Sequence, residues 1–220
     1  MIGLPTRYFD ERQEWTPTLE NIAGKESRLK RIAIEPRFGY GITDSIFVSS
    51  TGYENFEPSD GVFMAPGIES EDVDNWIYGA CYHTQNGIFE TINKVTKQRE
   101  MSILTTIGSW HETNQLLRST LRVDGFASLS AYSEKKVVVT KPFIYEGNSL
   151  SLNIATSALG SVYVNLTCGE KSVRSYEILG DSLEKKVSFP NFDVAEFSGK
   201  EVVMTIELVE ADVYSFKFNK

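Results

Sequence analysis

The sequence predicts an all-β chain whose C-terminal part is an antiparallel, jelly-roll-like β-sandwich. Three observations carry this reading. Apolar and polar residues alternate along the second half, turn residues interrupt the alternation at short intervals, and no stretch reads as a helix long enough to cover a parallel sheet. Leu150, Leu152 and Ile154 alternate with Ser149, Ser151 and Asn153, and Val162, Val164 and Leu166 with Tyr163, Asn165 and Thr167. Val202, Met204, Ile206 and Leu208 repeat the pattern, and Tyr214, Phe216 and Phe218 close the chain. A period of two puts each apolar set on one face of a sheet.

Turns are expected between these strands at 146–148, 159–160, 169–171, 180–181 and 198–200, each of which contains glycine. Residues 193–199 read as one helical turn, with Asp193 able to cap its start and Gly199 able to end it. The seam of the chain is RVDGFASLSAYSEKKVVVT, residues 122–140, where Asp124-Gly125 is a turn dipeptide that begins the regular half.

The first half is less regular. Residues 1–31 show no sustained period and predict a loop-rich entry with one short helical turn at most. Ile32 and Ile34 alternate before Pro36, and 42–48 reads as a strand after Gly39 and Gly41. An acidic loop is expected over 54–74. Two strands, 76–83 and 87–95, would then meet at a hairpin turn on Gln85-Asn86-Gly87, followed by a strand over 100–107.

The net charge of −8 is unevenly spread. Residues 1–118 hold 11 Lys/Arg against 17 Asp/Glu, a balance of −6, and residues 119–220 hold 11 against 13, a balance of −2. An acidic chain with no basic stripe would be repelled by phosphate backbones, so nucleic acid is not an expected partner. The short basic cluster of Lys25, Arg28, Lys30 and Arg31 reads as a solvated turn. Cys81 and Cys168 lie in different halves without metal or redox spacing and are expected as free thiols. No secretory leader and no apolar run of the ~20 residues needed to span a membrane are present, so a soluble, cytoplasmic chain is expected, provided no upstream segment is missing.

Several signatures are excluded. Gly39-Tyr40-Gly41 has Asp44 where a dinucleotide fingerprint needs its third glycine, and His111-Glu112 has Gln115 where a zinc helix needs its second histidine. With His83 and His111 as the only histidines and no nucleophile elbow, a hydrolase triad has little material. Asn165-Leu166-Thr167 fits the glycosylation sequon but sits inside a strand and reads as structural. No cofactor or metal is expected.

What remains is carboxylates flanked by aromatics. Asp44, Asp74 and Glu90 lie in the first half, near Trp76, Tyr78, Tyr82 and Trp110. Sugar chemistry uses these residue types, since one carboxylic acid protonates the leaving oxygen, a second carboxylate attacks or activates water, and aromatic faces stack on the ring. Glu90 lies in an otherwise apolar strand, and burial would raise its pKa toward the value a general acid needs. A salt bridge to Arg99 or Arg122 is the structural alternative for Glu90. Trp76, Tyr78, Tyr163 and Tyr176 are candidate stacking platforms, and Asp44 a candidate substrate-binding carboxylate.

The segments GLPTRYFDERQEW, RFGYGITDSIFVSSTGYENF, APGIE, NWIYGACYHTQNGIFET, LRSTLRVDGFASLSA, VTKPFIYEGNSLSLNIATSALGSVYVNL and EADVYSFKF, in that order, resemble the C-terminal portion of a group of bacterial glycoside hydrolases. That group is similar to the arabinanase and fructosidase clan, with a five-bladed β-propeller followed by a β-sandwich. The resemblance covers nearly the whole chain, and its most specific parts mark the sandwich and carry no catalytic residue.

It implies that residues 1–118 are an incomplete β-propeller-type segment, the last one or two blades, and that 119–220 are the β-sandwich. A blade takes ~40–50 residues, so 118 residues supply about two at most. The resemblance further implies a carbohydrate-active hydrolase whose earlier blades lie outside this chain, so that the chain alone would lack a complete acid/base pair. The expected partners are carbohydrate and either the missing blades or a second copy of the chain. A non-catalytic sugar-binding module and an interaction domain are the alternatives.

Overall fold

A computed structural model describes residues 1–9, 12, 14–108 and 114–220, with the backbone alone described at 84–86. Trp110, His111 and Glu112 lie outside the described residues. The chain is mostly β, with several antiparallel sheets, and among the described residues no closed barrel or propeller is formed. No described helix is long and apolar enough to cross a membrane. Two compact units are present, Met1–Leu121 and Arg122–Lys220.

The first unit begins with β1 (Ile2–Gly3) and β2 (Thr6–Tyr8), followed by α1 (Pro17–Glu20), α2 (Lys25–Ile32) and α3 (Pro36–Tyr40). Short strands β3 (Thr43–Ser45), β4 (Val48–Ser49) and β5 (Glu57–Pro58) pair as β1-β4-β5 and β2-β3. Longer strands β6 (Tyr82–Ile92), β7 (Arg99–Ile107) and β8 (Gln115–Arg122) form a three-stranded sheet in that order.

Several expectations for this unit are corrected. The entry is helical and the alternation at Ile32 and Ile34 is not a strand. Thr16 accepts from the Leu19 amide at the start of α1, and Pro17 and Pro36 occupy first-turn positions where a missing N–H costs nothing. The basic cluster on α2 is no solvated turn either, because Arg28 is 0% and Arg31 6% exposed. The Arg28 guanidinium donates to the carbonyls of Gly39 (2.9 Å) and Trp76, so it holds α3 and the 76–81 turn to α2. Burial lowers the pKa of Arg28, and the nearby Asp74 carboxylate opposes that shift.

The third correction concerns the hairpin. The chain does not turn at Asn86-Gly87, and β6 runs through it with a bulge between His83 and Ile88, where Gly87 takes a left-handed φ of +63°. The turn lies one segment later. Asn93 Oδ1 accepts from the amides of Val95 (2.9 Å) and Thr96 (3.0 Å), and the Asn93 and Lys97 amides close the loop on Gln98 O and Asn93 O. A side chain that occupies two orphan amides fixes the turn more firmly than glycine freedom alone. The 42–48 strand is likewise split into β3 and β4, and 76–81 is a turn.

In the second unit β9 (Leu129–Ala131), β10 (Lys136–Val139), β11 (Phe143–Ile144), β12 (Ser149–Cys168), β13 (Lys171–Arg174), β14 (Asp181–Val187) and β15 (Glu201–Asn219) are all antiparallel neighbours. Its backbone is the β12–β15 ribbon, which pairs from Ser149↔Asn219 to Thr167↔Val203. The expected turn at Leu159-Gly160 is a bulge inside β12, opposite Glu210. There Gly160 approaches the Glu210 carbonyl so closely that an added Cβ would lie 2.2 Å from its oxygen.

This bulge also explains the phase of β15. Its buried residues are Val202, Met204, Ile206 and Leu208 before the bulge, and Ala211 and Val213 after it. Both arms of the ribbon bury one cluster, with Leu150, Leu152 and Ile154 from one arm and Val162, Val164 and Leu166 from the other, each 0% exposed. Burying a Leu or Ile side chain is worth about 1.5–3 kcal/mol, so these alternating residues are the main source of the unit's stability.

The expected helical turn is a single turn of 3-10 helix, Val194–Phe197, capped by Asp193, which accepts from Ala195 N at 2.9 Å. Tyr145 donates to the carbonyl of Val194 in this turn (2.6 Å), and burial pushes its phenol up to about 12. At the seam Arg122 donates to Asn153 Oδ1 (2.9 Å), Asp181 Oδ1 (2.9 Å) and the carbonyls of Ile154 and Ser182, and its guanidinium lies 4.3 Å over the Tyr214 ring. One side chain thereby joins the start of the unit to β12, β14 and β15.

On the polar face of the ribbon Glu207 accepts from Arg174, Lys135 and Asn165. The Arg174 hydrogen bond above all, and then that of Lys135, brings its carboxyl down from 4.5 to about 2. A carboxyl depressed on folding contributes stability that is present above its unfolded pKa and lost as pH falls toward the folded one. Glu207→Gln is therefore expected to flatten the fall in melting temperature between pH 4.5 and about 2, read by a thermal scan at each pH.

Candidate functional site

The residues that could meet a ligand gather around Tyr78. Its ring lies 6.2 Å from Tyr8 on β2, 5.1 Å from Phe38 on α3 and 6.2 Å from Tyr82 on β6. The contacts to Tyr8 and Tyr82 are edge-on, the arrangement the ring quadrupoles favour. Tyr8 is 49% exposed and presents the most accessible ring, while Tyr78 and Tyr82 are half-buried.

The turn that carries Tyr78 is held from two sides. Buried Thr43 on β3 donates to Ala80 O (2.6 Å) and accepts from Gly79 N (3.1 Å), and Thr106 on β7 donates to Gly79 O (3.2 Å). The Cys81 amide, on a residue with φ of +59°, donates to Thr106 O (2.9 Å). Burial, and then a hydrogen bond with the Tyr78 hydroxyl, push the Tyr82 phenol well above its usual range, so the Tyr82 hydroxyl stays protonated and can donate.

Asp44 stands on the neighbouring strand β3, directly across from Arg7 on β2. Arg7 grips it through two bonds, Nε to Oδ1 at 2.9 Å and Nη2 to Oδ2 at 2.6 Å. Such a fork fixes both side chains and leaves the carboxylate able to accept on its remaining lone pairs. Arg37 lies 5.4 Å from the Phe38 ring and adds a second cation to this corner.

Trp76 is half-buried, and its indole N–H donates to Gly67 O at 2.7 Å. This ties Trp76 to a loop organised by Asn75, whose side chain bonds Ser70 N, Pro66 O and Ile68 O. Of the platforms in the second unit, Tyr163 is covered by Arg174, whose guanidinium lies 4.2 Å over its ring, and Tyr176 is 60% exposed.

The premise for Glu90 is corrected. It is exposed, and Arg99 on β7 holds both its oxygens, Nε to Oε1 at 2.8 Å and Nη2 to Oε2 at 2.6 Å. That hydrogen bonding lowers its pKa, the direction opposite to the one a general acid needs. Glu90 also lies eight residues beyond Tyr82 on β6, on the order of 25 Å at the rise of an extended strand. The structure sets Tyr78 against Tyr8 on β2, places Asp44 on β3, the strand paired with β2, and leaves Glu90 away from both.

His83 Nε2 lies 2.7 Å from Ser45 Oγ, and burial lowers its pKa. This is no nucleophile pair. Ser45 is 0% exposed, and His83 Nδ1 is buried without an orienting partner among the described residues. Burial pushes the Cys81 thiol up to about 11, which keeps it protonated and inert. Both cysteines are free, and no group of three His, Cys, Asp or Glu side chains among the described residues could hold a metal ion.

Sequence reasoning missed Tyr8 and Phe38. Positions 8, 38, 78 and 82 share no motif, and only folding of the three segments brings the rings together. Comparison with protein-family models, curated proteins and solved structures returns no match for this chain.

Proposed function

We propose that the chain is the C-terminal part of a carbohydrate-active hydrolase of the five-bladed propeller class, and that alone it binds sugar without cleaving it. In this reading the first unit is the last one or two blades of an incomplete propeller, and the second is a jelly-roll-like β-sandwich. The resemblance of the RVDGF seam, the TKPF to TSA run and the closing DVYSFKF supports the family reading. One core buried between the two arms of a bent ribbon supports the sandwich. The preceding blades, or a second copy of the chain, would pair with the outer edges of the β6–β8 sheet.

The observation that carries the binding function is the half-exposed corner of Tyr8, Tyr78 and Tyr82 beside the Arg7–Asp44 fork. Its rings offer apolar faces for the C–H side of a sugar, and its phenols and carboxylate offer hydrogen bonds for the hydroxyls. Glu90 is fixed on Arg99 and lies outside this corner, so no turnover is assigned to this chain in this reading. Calorimetry against a panel of neutral pentose and hexose oligosaccharides tests it. Tyr78→Ala is expected to weaken the best binder by about 1 kcal/mol or more, the scale of one aromatic contact. Unchanged affinity in that variant would exclude the corner as the site.

A further inference from the structure

A second place on the first unit has the character of a ligand site. The connection from β4 to β5 curls around an open hollow of about 700 Å³, a size usual for small-molecule sites of about 300–1,000 Å³. Its ends are closed by the Val48↔Pro58 and Ser49↔Glu57 pairs and by the Ser59 amide on Phe47 O (2.9 Å). Inside the loop Ser50 Oγ accepts from Gly52 N (3.1 Å) and donates to Glu54 O (2.7 Å), and Asn55 takes a left-handed φ of +57° that turns the chain back. The hollow is thus built by strand pairing at its ends and by the Ser50 side chain within the loop before any ligand arrives.

Four of the side chains on its wall are unpaired. Among the described residues Tyr53, Glu54, Asn55 and Glu57 have no side-chain hydrogen bond, ion pair or ring contact, and Tyr53 is 87% exposed. A free aromatic face beside an amide and two carboxylates meets a molecule that is apolar on one side and rich in hydroxyl donors on its edge. The two carboxylates disfavour phosphorylated or acidic ligands. The hollow is far larger than an ion requires, and two carboxylates are fewer anionic ligands than a tight calcium loop supplies.

We propose that this hollow is a second binding site, distinct from the Tyr78 corner, for a neutral oligosaccharide. The sugar ring stacks on Tyr53, and its hydroxyls donate to Glu54 and Glu57 and exchange hydrogen bonds with Asn55. The proposal shares its ligand class with the corner but uses none of the corner's residues.

Backbone amide NMR of the full chain tests it, with arabinotriose, inulotriose, xylotriose and cellotriose added singly up to their solubility, and calcium chloride added alone. The expected result is a saturable shift of the Gly52, Tyr53 and Asn55 amides with at least one sugar. Tyr53→Ala should weaken those shifts about tenfold while shifts at Tyr8 and Tyr78 keep their midpoint. Shifts at the corner with none at 50–57 would overturn this inference and leave the corner intact. Shifts at 50–57 alone would support it against the corner. Shifts at 50–57 with calcium chloride and with no sugar would overturn it in favour of a cation site.

Discussion

Replacing Arg28 with methionine is expected to destabilise the first unit by about 3–5 kcal/mol, the usual cost of removing one partner from a buried charge network. Arg28 is 0% exposed on α2, and its guanidinium satisfies Gly39 O and Trp76 O while facing Asp74, itself 3% exposed. Methionine fills much of the same volume, so the loss reports on charge and hydrogen bonding more than on packing. The Asp74 carboxylate would keep its burial and lose one of its nearby cations. Lysine is not expected to rescue, because a single ammonium cannot reach both carbonyls in the fork geometry of a guanidinium. Urea unfolding followed by tryptophan fluorescence measures this, since Trp76 is itself one of the acceptors. A loss below about 1 kcal/mol would mean that the cation is dispensable, as at an exposed pair.

The second large effect is expected in the other unit. Leu152→Ala should cost about 3–4 kcal/mol, within the range measured for fully buried leucines. Leu166→Ala should cost a similar amount although it lies on the opposite arm of β12, because both arms close on one cluster. Each change should lower the melting temperature of a unit of this size by more than about 10 °C, at about 4–8 °C per kcal/mol. Differential scanning calorimetry should show both variants shifting the same transition. If Leu152→Ala and Leu166→Ala shifted different transitions, the single shared core would be wrong.

The second unit was largely legible in the sequence, and the reason is the strict period of its strands. Leu150 to Ile154, Val162 to Leu166 and Val202 to Leu208 each bury one face, as alternation requires. The error there was local. Leu159-Gly160 carries the composition of a turn, but glycine was needed for close approach to Glu210 O inside a continuous strand.

The first unit was less legible because tertiary contacts decide its local structure. KESRLKRI reads as a surface segment until two of its arginines are found buried. Asn86-Gly87 is a strong hairpin signal by itself, yet Asn93 wins the turn by occupying two amides at once. Glu90 looked buried because Ile88, Phe89 and Ile92 surround it in sequence. In a three-stranded sheet Phe89 and Ile92 remain 37% and 56% exposed, and the carboxylate reaches Arg99 across the strand pair. Asp44 and Tyr78 were visible as residue types, but their neighbours Arg7, Tyr8 and Phe38 come from distant segments.

The central functional claim is that this chain holds a sugar and leaves it intact. The most direct measurement is a calorimetric titration of the unmodified chain with each neutral oligosaccharide, with the same samples assayed afterwards for new reducing ends. The account predicts saturable heat with at least one sugar and no new reducing ends. Release of reducing ends by this chain, abolished in Glu90→Gln, would contradict it.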